Sequence, residues 1–505
     1  MKNIVSLLLT AALFLTLMSC GGPQPPVDDT PGTSSENSSQ QGNEVQPVDT
    51  PFSLAIYPDY SIHPALALNR ANLTLVPLLY EPLFQVDESF QAQPVLCESY
   101  TVNAEKLVWT FTLRAGISFS EGTPLTGKEA AAALNLARSA RGRYSGRLAC
   151  VESIRGDETT LTITLNRPCG QLPLLLDIPI ALGDEECPAG TGPYVLRGTG
   201  DEMTLSLRED WWQDKNLPLD RVSLHEVQKS DELIFAFSTG DVSLVDVDLM
   251  GTNALGYSGN YETWDYATTD LIYLGFNTRE GRVCNDPALR QALVASVDRE
   301  TITQTIFASH AVPSALPVHP SSETYHDRDA EKLAYAPEKL VEQVERLRES
   351  KRQLTLLVNS ENTAKISTAE FIAYQLGSAG LKIVLEKLPF EDYAAALKAG
   401  EFDLYIGEVV LTADFNLSDL LAPDGSMNYG GWYSDEITGL LAAASAAEAG
   451  ETMPYRLLYA HLEEQAPIAA VCFKNGCVLT QWGRLSGLSP LRSDVFHGLE
   501  HWIMD

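Results

Sequence analysis

The chain predicts an α/β fold with more than one domain, and three observations carry that reading. Its 505 residues, 45% of them hydrophobic, exceed what one core usually organises, so two or more domains are expected. From residue 337 onward helical and strand-like segments alternate, the pattern of a parallel α/β sheet. Ahead of that, apolar residues recur with a period of two, as in Trp109, Phe111 and Leu113 or Leu161, Ile163 and Leu165, which predicts strands.

The amino end reads as a secretory signal: Lys2, a mostly apolar run over 4–18, and the small Ser19 before Cys20. Leu17, Met18, Ser19 and Cys20 resemble the bacterial lipobox, whose cysteine is lipidated before cleavage leaves it as the first residue. That resemblance implies a signal over 1–19 and a lipid anchor at Cys20, on the outer face of the bacterial membrane; a plain secretory signal or membrane anchor with an incidental cysteine is the other reading. Residues 21–50 are rich in Pro, Ser, Gly, Gln and acidic residues, so 20–50 is expected to be a disordered tether with a reach of roughly 30 Å. No later segment has the uninterrupted apolar length to cross a bilayer.

The balance of 35 basic against 67 acidic residues, net -32, excludes nucleic acid as a partner, since phosphate binding needs a concentrated basic surface. Eight cysteines leave seven beyond Cys20, an odd number. Cys472 and Cys477 flank residues 473–476, which read as a hairpin turn; a disulfide there and two free buried thiols both stay open. C-x4-C alone is not a metal signature.

In chain order, a short strand is expected over 51–59, and His63, before Pro64, sits in a turn and is a candidate ligand contact. Residues 107–119 read as two strands around a turn at Ala115 and Gly116, and Thr126 with Glu129 forms a capping box for an Ala-rich helix reaching 140. The stretch G-T-G-P-Y at 190–194 lacks the Gly-Lys-Ser/Thr of a phosphate loop and is read as a tight approach of backbone segments. Residues 271–276 have five apolar or aromatic side chains out of six, as suits a strand buried on both faces. Asp286 then stands as N-cap, Pro287 at the first helical position, and Leu289, Leu293 and Val297 at helical spacing. Helices follow over 337–350, 364–379 and 390–399, the last two closing at Gly380 and Gly400, with strands over 354–358, 381–388 and 402–410. Two more helices, 435–447 and 455–465, lead to a strand over 467–473.

Several stretches together resemble one family. They are L-Y-E-P-L-F-Q-V-D at 79–87, L-V-W-T-F-T-L-R-A-G-I-S-F-S-E-G-T-P-L-T at 107–126, Y-L-G-F-N-T at 273–278, D-P-A-L-R-Q-A-L-V-A-S-V-D-R-E at 286–300, and P-I-A-A-V-C-F-K-N-G at 467–476. These resemble the solute-binding proteins of ABC importers in the peptide/nickel-binding family, and the likeness extends over nearly all of 51–505. It implies a two-lobed fold of the periplasmic-binding-protein type (class II, large cluster C) with mixed sheets. Lobe I is expected over 51–269, with an inserted subdomain near 76–185, and again over 475–505. Lobe II is expected over 270–474. Two crossing strands, 271–277 outward and 467–473 back, would form the hinge.

Ligands of open α/β sheets bind beyond the carboxyl ends of strands, and the strand 402–410 ends just before Asp414. The resemblance agrees: A-D-F-N at 413–416 is similar to the A-D-Y-N of oligopeptide-binding members, whose aspartate pairs with the ligand's α-ammonium. The Trp and Arg that such members place shortly before it are missing from 408–412, so a carboxylate-binding Arg comes from elsewhere or the ligand has no free carboxylate. Trp432 and Tyr433 are candidates to stack on a ligand, with core packing as the alternative. Enzyme motifs are near misses: Gly256, Tyr257, Ser258, Gly259, Asn260 lacks the last glycine of a nucleophile elbow, and His225-Glu226 finds Lys229 where a zinc protease has its second histidine.

The expectation is therefore a monomeric substrate-binding lipoprotein, not an enzyme, with no cofactor and no metal. It would capture an oligopeptide or dipeptide and hand it to an ABC permease and its ATPase subunits. A non-peptide solute (metal chelate, opine, oligosaccharide), a surface signalling or adhesion role, and a secreted hydrolase are the other readings.

Overall fold

Local sequence signals decide where most elements begin, and the structure, a computed structural model describing residues 51–252 and 256–504, shows them in place. The signal, the tether and the lipidation residue Cys20 lie outside the described residues.

The first strand, β1 (Ser53–Ile56), leads to α1 (Arg70–Leu79), opened by Asn69, whose side chain accepts from the Asn72 amide. An inserted antiparallel sheet follows. It is built from β2 (Cys97–Val102), β3 (Val108–Leu113), β4 (Val151–Gly156) and β5 (Thr160–Leu165) in the order β2-β3-β5-β4. Its inward residues Trp109, Phe111, Leu161 and Ile163 pack with α2 (Gly127–Ala137) in one core, and α2 carries the expected Thr126–Glu129 capping box. The strands β6 (Tyr194–Arg197), β7 (Thr204–Leu207) and β8 (Arg221–Glu226) then pair with β1 in the order β1-β8-β7-β6. A Cβ on Gly190 or Gly192, just before β6, would lie 2.0 or 2.5 Å from the Leu79 backbone, so this glycine pair does permit a tight approach of backbones.

The largest sheet has seven strands. It contains β9 (Leu244–Val247), β10 (Tyr261–Phe276), β11 (Ala311–Pro313), β12 (Gln353–Asn359), β13 (Lys382–Leu388), β14 (Leu404–Val410) and β15 (Ile468–Gln481). Their order is β9-β15-β10-β14-β12-β13, with β11 also on β15. The β12-β13 and β12-β14 pairs are parallel, as alternation with helices demands, while β10 runs antiparallel to both β14 and β15. The connecting helices include α3 (Pro287–Ala295), capped by Asp286, α4 (Glu338–Arg346), α5 (Thr363–Ser378) and α6 (Phe390–Ala399), the last ended by Gly400 at φ 73°. Leu271 and Tyr273 enter one core and Ile272, Leu274 and Phe276 the other, so the second half of β10 is buried on both faces as expected.

Two expectations are corrected. The sheet strand does not start at 271: β10 begins at Tyr261, and its first half carries Glu262, Thr263, Asp265 and Thr268, too polar to announce a strand. Nor is there a hairpin turn over 473–476; β15 runs straight through to Gln481, paired with β10 along its length. Strand side chains alternate in direction, so Cys472 and Cys477, five residues apart, enter different cores and both thiols are free. The 16-residue β10 and 14-residue β15 thus run together from the cores that hold Tyr266, Val478 and Leu479 into those that hold Tyr273 and Phe473.

Candidate functional site

The long pair β10–β15 shifts register at two places, between Ile272 and Tyr273 and, more widely, ahead of Asp270. The register shifts between Ala267 and Asp270, and the two extra residues turn their hydroxyls to the backbone: Thr268 Oγ1 donates to the Lys474 carbonyl and Thr269 Oγ1 to that of Leu411, each at 2.6 Å. Directly beyond this bulge sit Asp270 and, opposite it, Lys474.

Lys474 is 2% exposed, and a buried ammonium has to be paired. Its Nζ lies 2.5 Å from Glu408 on β14, 2.8 Å from Asp248 just after β9, and 3.8 Å from Asp270. Glu408 uses its other oxygen for Lys365 on the first turn of α5, at 2.6 Å. Burial opposes the ionisation of Glu408, yet Lys474 and Lys365 outweigh it and hold the carboxyl below its usual range. Asp270 is different: desolvation pushes it up to about 6, with Glu408 and Asp248 adding to the rise and the shared Lys474 offsetting only part of it. The network joins the ends of β9, β14 and α5 to the middles of β10 and β15.

Beside it, the Arg70 guanidinium at the start of α1 donates to both oxygens of Asp246, at 3.0 and 3.1 Å, and to the Tyr266 hydroxyl at 3.2 Å. Tyr57, Arg70, Ser230, Asp246, Asp248 and Tyr257 line a cavity of about 250 Å³ that opens past the ends of β1 and β9. None of these charged residues was picked out from the sequence, since Asp248 and Lys474 stand 226 positions apart. The available signal was charge inside apolar strands, as with Glu408 in L-Y-I-G-E-V-V and Lys474 after I-A-A-V-C-F.

Asp414 lies four residues past β14, as the strand pattern indicated. It accepts from the Thr412 hydroxyl at 2.5 Å, and the chain turns sharply after it, with Phe415 at φ 51°. Desolvation raises its carboxyl above the usual range, offset in part by Thr412, by backbone amides and by the more distant Arg167. No Lys, Arg or His among the described residues forms an ion pair with it. Its surroundings come from two directions. One is the loop leaving β5, with Arg167 and Cys169; the other is Tyr455 on α7 (Met453–Gln465), whose hydroxyl accepts from Gln171 at 3.2 Å. The Gly170 amide donates to the Ser445 carbonyl at 2.8 Å, which holds that loop over the region.

The other sequence candidates are not gathered there. Trp432 is 5% exposed, packed in a core against His461 with centroids 6.1 Å apart, which is the packing alternative. Tyr433 is 61% exposed, and among the described residues its hydroxyl bonds to Asp435 alone, at 2.9 Å. His63 is 1% exposed with both ring nitrogens committed, Nδ1 to the Ala65 amide at 3.0 Å and Nε2 to the Gly183 carbonyl at 3.2 Å. Burial lowers its pKa, as a neutral ring accepting a backbone proton requires.

A parallel-containing α/β sheet, antiparallel sheets beside it and two long strands that pass from core to core make a mixed α/β fold of several sheets, the fold of extracellular solute-binding proteins. The chain belongs to the bacterial extracellular solute-binding proteins, family 5, whose middle region matches residues 91–426. It is thus the extracytoplasmic substrate-binding component of an ABC importer. Among curated relatives, the glutathione-binding protein GsiB of Escherichia coli (strain K12) is 25% identical over 391 residues, 72% of this chain and 75% of that one. Among solved structures, HbpA2 from Haemophilus parasuis superposes with a TM-score of 0.74 at 18% identity, covering 90% of this chain and 99% of that one. The oligopeptide-binding protein AppA from Bacillus subtilis, solved with a nonapeptide, superposes with a TM-score of 0.62 at 17% identity, covering 90% and 98%. No helix of the described residues is long and apolar enough to cross a membrane.

Proposed function

We propose that the solute is a short peptide or a peptide-like molecule, and that Asp414 receives its α-ammonium. The observation that carries this is a desolvated carboxylate with no cation paired to it among the described residues. Such a group is costly alone and favourable once a ligand cation reaches it. The names of GsiB and of the AppA complex, glutathione and a nonapeptide, support the same class. Residues 51–269 with 475–505 form one lobe and 270–474 the other in this reading, and the bulge at Thr268 and Thr269 supports a boundary there. Ligand binding shifts an open-closed equilibrium between them, no bond is made or broken, and the loaded monomer, anchored through Cys20, delivers to the ABC permease and ATPase.

Calorimetry with defined di- to nonapeptides and glutathione tests this. A peptide with a free amino end is expected to bind the wild type, to bind Asp414→Asn at least about 30-fold more weakly, and to lose a similar factor when N-acetylated. Equal affinity in the variant removes Asp414 from the site, and no binding by any peptide overturns the peptide class.

A further inference from the structure

We propose a divalent transition-metal site, with zinc as the fitting ion, made by Asp265, His310 and Cys477. The three come from separate places. Asp265 and Cys477 are direct cross-strand partners on β10 and β15, and His310 precedes β11, on the opposite edge of β15 from β10. One donor atom from each lies within 4.8 Å of the other two. His310 Nδ1 is 2.9 and 3.0 Å from the two Asp265 oxygens.

The donor set suits this chemistry. Zinc takes imidazole nitrogen and carboxylate oxygen at about 2.0–2.2 Å and thiolate at about 2.3 Å, tetrahedrally, and three protein ligands leave a fourth position for water or another small ligand. Ligand atoms around such an ion stand roughly 3.3–3.8 Å apart, inside the span already present. Thiolate and imidazole together favour zinc, cobalt or nickel over magnesium or calcium. On binding, the Cys477 thiol releases its proton to solvent, and His310, whose Nδ1–H faces the Asp265 carboxylate in the metal-free chain, gives up that proton and takes one from solvent on Nε2, so that Nδ1 is free to ligate. The assembled Zn²⁺–carboxylate–thiolate unit is then neutral, which suits a half-buried place.

Two further observations support a built site. Asn475 Nδ2 donates to Asp265 Oδ2 at 3.1 Å, while its backbone amide donates to the His310 carbonyl at 3.0 Å, so one residue orients two of the ligands. Cys477 is 1% exposed and is not in a disulfide; its thiol lies 3.6 Å from the Val478 carbonyl and faces the Asp265 carboxylate. Asp265, the exposed member of the three, also lines an open cavity of about 450 Å³. Bound metal would tie the segment entering β11 to both long strands.

The experiment is a titration of the metal-stripped full chain with Co²⁺, with no peptide present, so its result does not depend on the solute. The expected result is one equivalent bound, with a near-ultraviolet thiolate-to-cobalt band and intense tetrahedral visible bands, displaced by Zn²⁺. Cys477→Ser is expected to lose the thiolate band, and the more exposed changes His310→Gln and Asp265→Asn to weaken Co²⁺ at least about tenfold while the fold persists. A folded wild type with no thiolate band, or one whose Co²⁺ affinity is unchanged in His310→Gln, overturns the proposal.

Discussion

Tyr273 and Tyr405 meet edge to face across β10 and β14, ring centroids 5.7 Å apart at 82°, and each ring covers the glycine opposite its own backbone. A Cβ on Gly275 would lie 2.1 Å from the Tyr405 ring, and one on Gly407 would lie 2.3 Å from the Tyr273 ring. Both phenols are buried, and burial raises their pKa values. This reciprocal seat fixes the register that places Glu408 beside Lys474. Gly275→Ala and Gly407→Ala should each cost about 1–3 kcal/mol by overpacking, read as a lower urea midpoint at unchanged slope.

Removing the central cation of the network should cost more than removing a surface one. Lys474→Met leaves Glu408, Asp248 and Asp270 facing one another in a water-poor setting, and about 3–5 kcal/mol of stability should be lost. Lys387→Met breaks an ion pair with Glu370 whose side chains are 42% and 53% exposed, and should change stability by less than about 1 kcal/mol. Equal losses in paired denaturant melts would show that the network is not what holds the crossing strands.

Asp270 gives stability a pH dependence opposite to that of an ordinary salt-bridged carboxylate. Its folded pKa, about 6, lies above the unfolded value, so its contribution is full below about 3.8 and is lost as pH rises through 6. Asp270→Asn removes that loss. The ligand-free variant should therefore be more stable than wild type by about 1–2 kcal/mol at pH 8 and no more stable at pH 4.5. A stabilisation that is the same at both pH values would put the cause elsewhere.

Asp414, raised by desolvation, should make peptide binding sensitive to mild acid. The ammonium complex needs the ionised carboxylate, so affinity falls as pH drops through its raised pKa, at a higher pH than for an exposed aspartate. Calorimetric Kd values should weaken toward pH 4.5 in wild type and stay flat in Asp414→Asn.

Thiol titration separates the cysteines. Cys97, Cys150, Cys169, Cys284, Cys472 and Cys477 are buried and Cys187 is exposed, all without disulfides. In the native protein one of these seven should react quickly with an aromatic disulfide reagent, and all seven should react after unfolding, with or without prior reductant.

The fold was legible wherever local chemistry decides it. The Thr126–Glu129 box, the Asp286–Pro287 start and the Gly400 stop each satisfy helix-end groups with residues in immediate reach, so spacing alone reveals them. Asp414 likewise follows the end of β14, where the apolar strand pattern put it. Gly476 misled because it reads as a turn residue, whereas it is there to admit the Tyr266 ring, which a Cβ would meet at 2.1 Å. The buried charges could not be assembled from the sequence, because what pairs Lys474 with Asp248, Glu408 and Asp270 is the crossing of strands that lie far apart along the chain.

The bulge at Thr268 and Thr269 makes β10 one strand by chain and two by ladder. There the Thr268 and Thr269 hydroxyls bond to the Lys474 and Leu411 carbonyls, and the Leu411 amide donates to the Thr269 carbonyl, in place of the regular ladder to β15, so the hydrogen-bonded rows on either side need not open together. Amide exchange along this single strand should therefore divide into two cooperative blocks with separate protection factors, meeting within a residue or two of Thr269, and a change in one block need not be felt in the other.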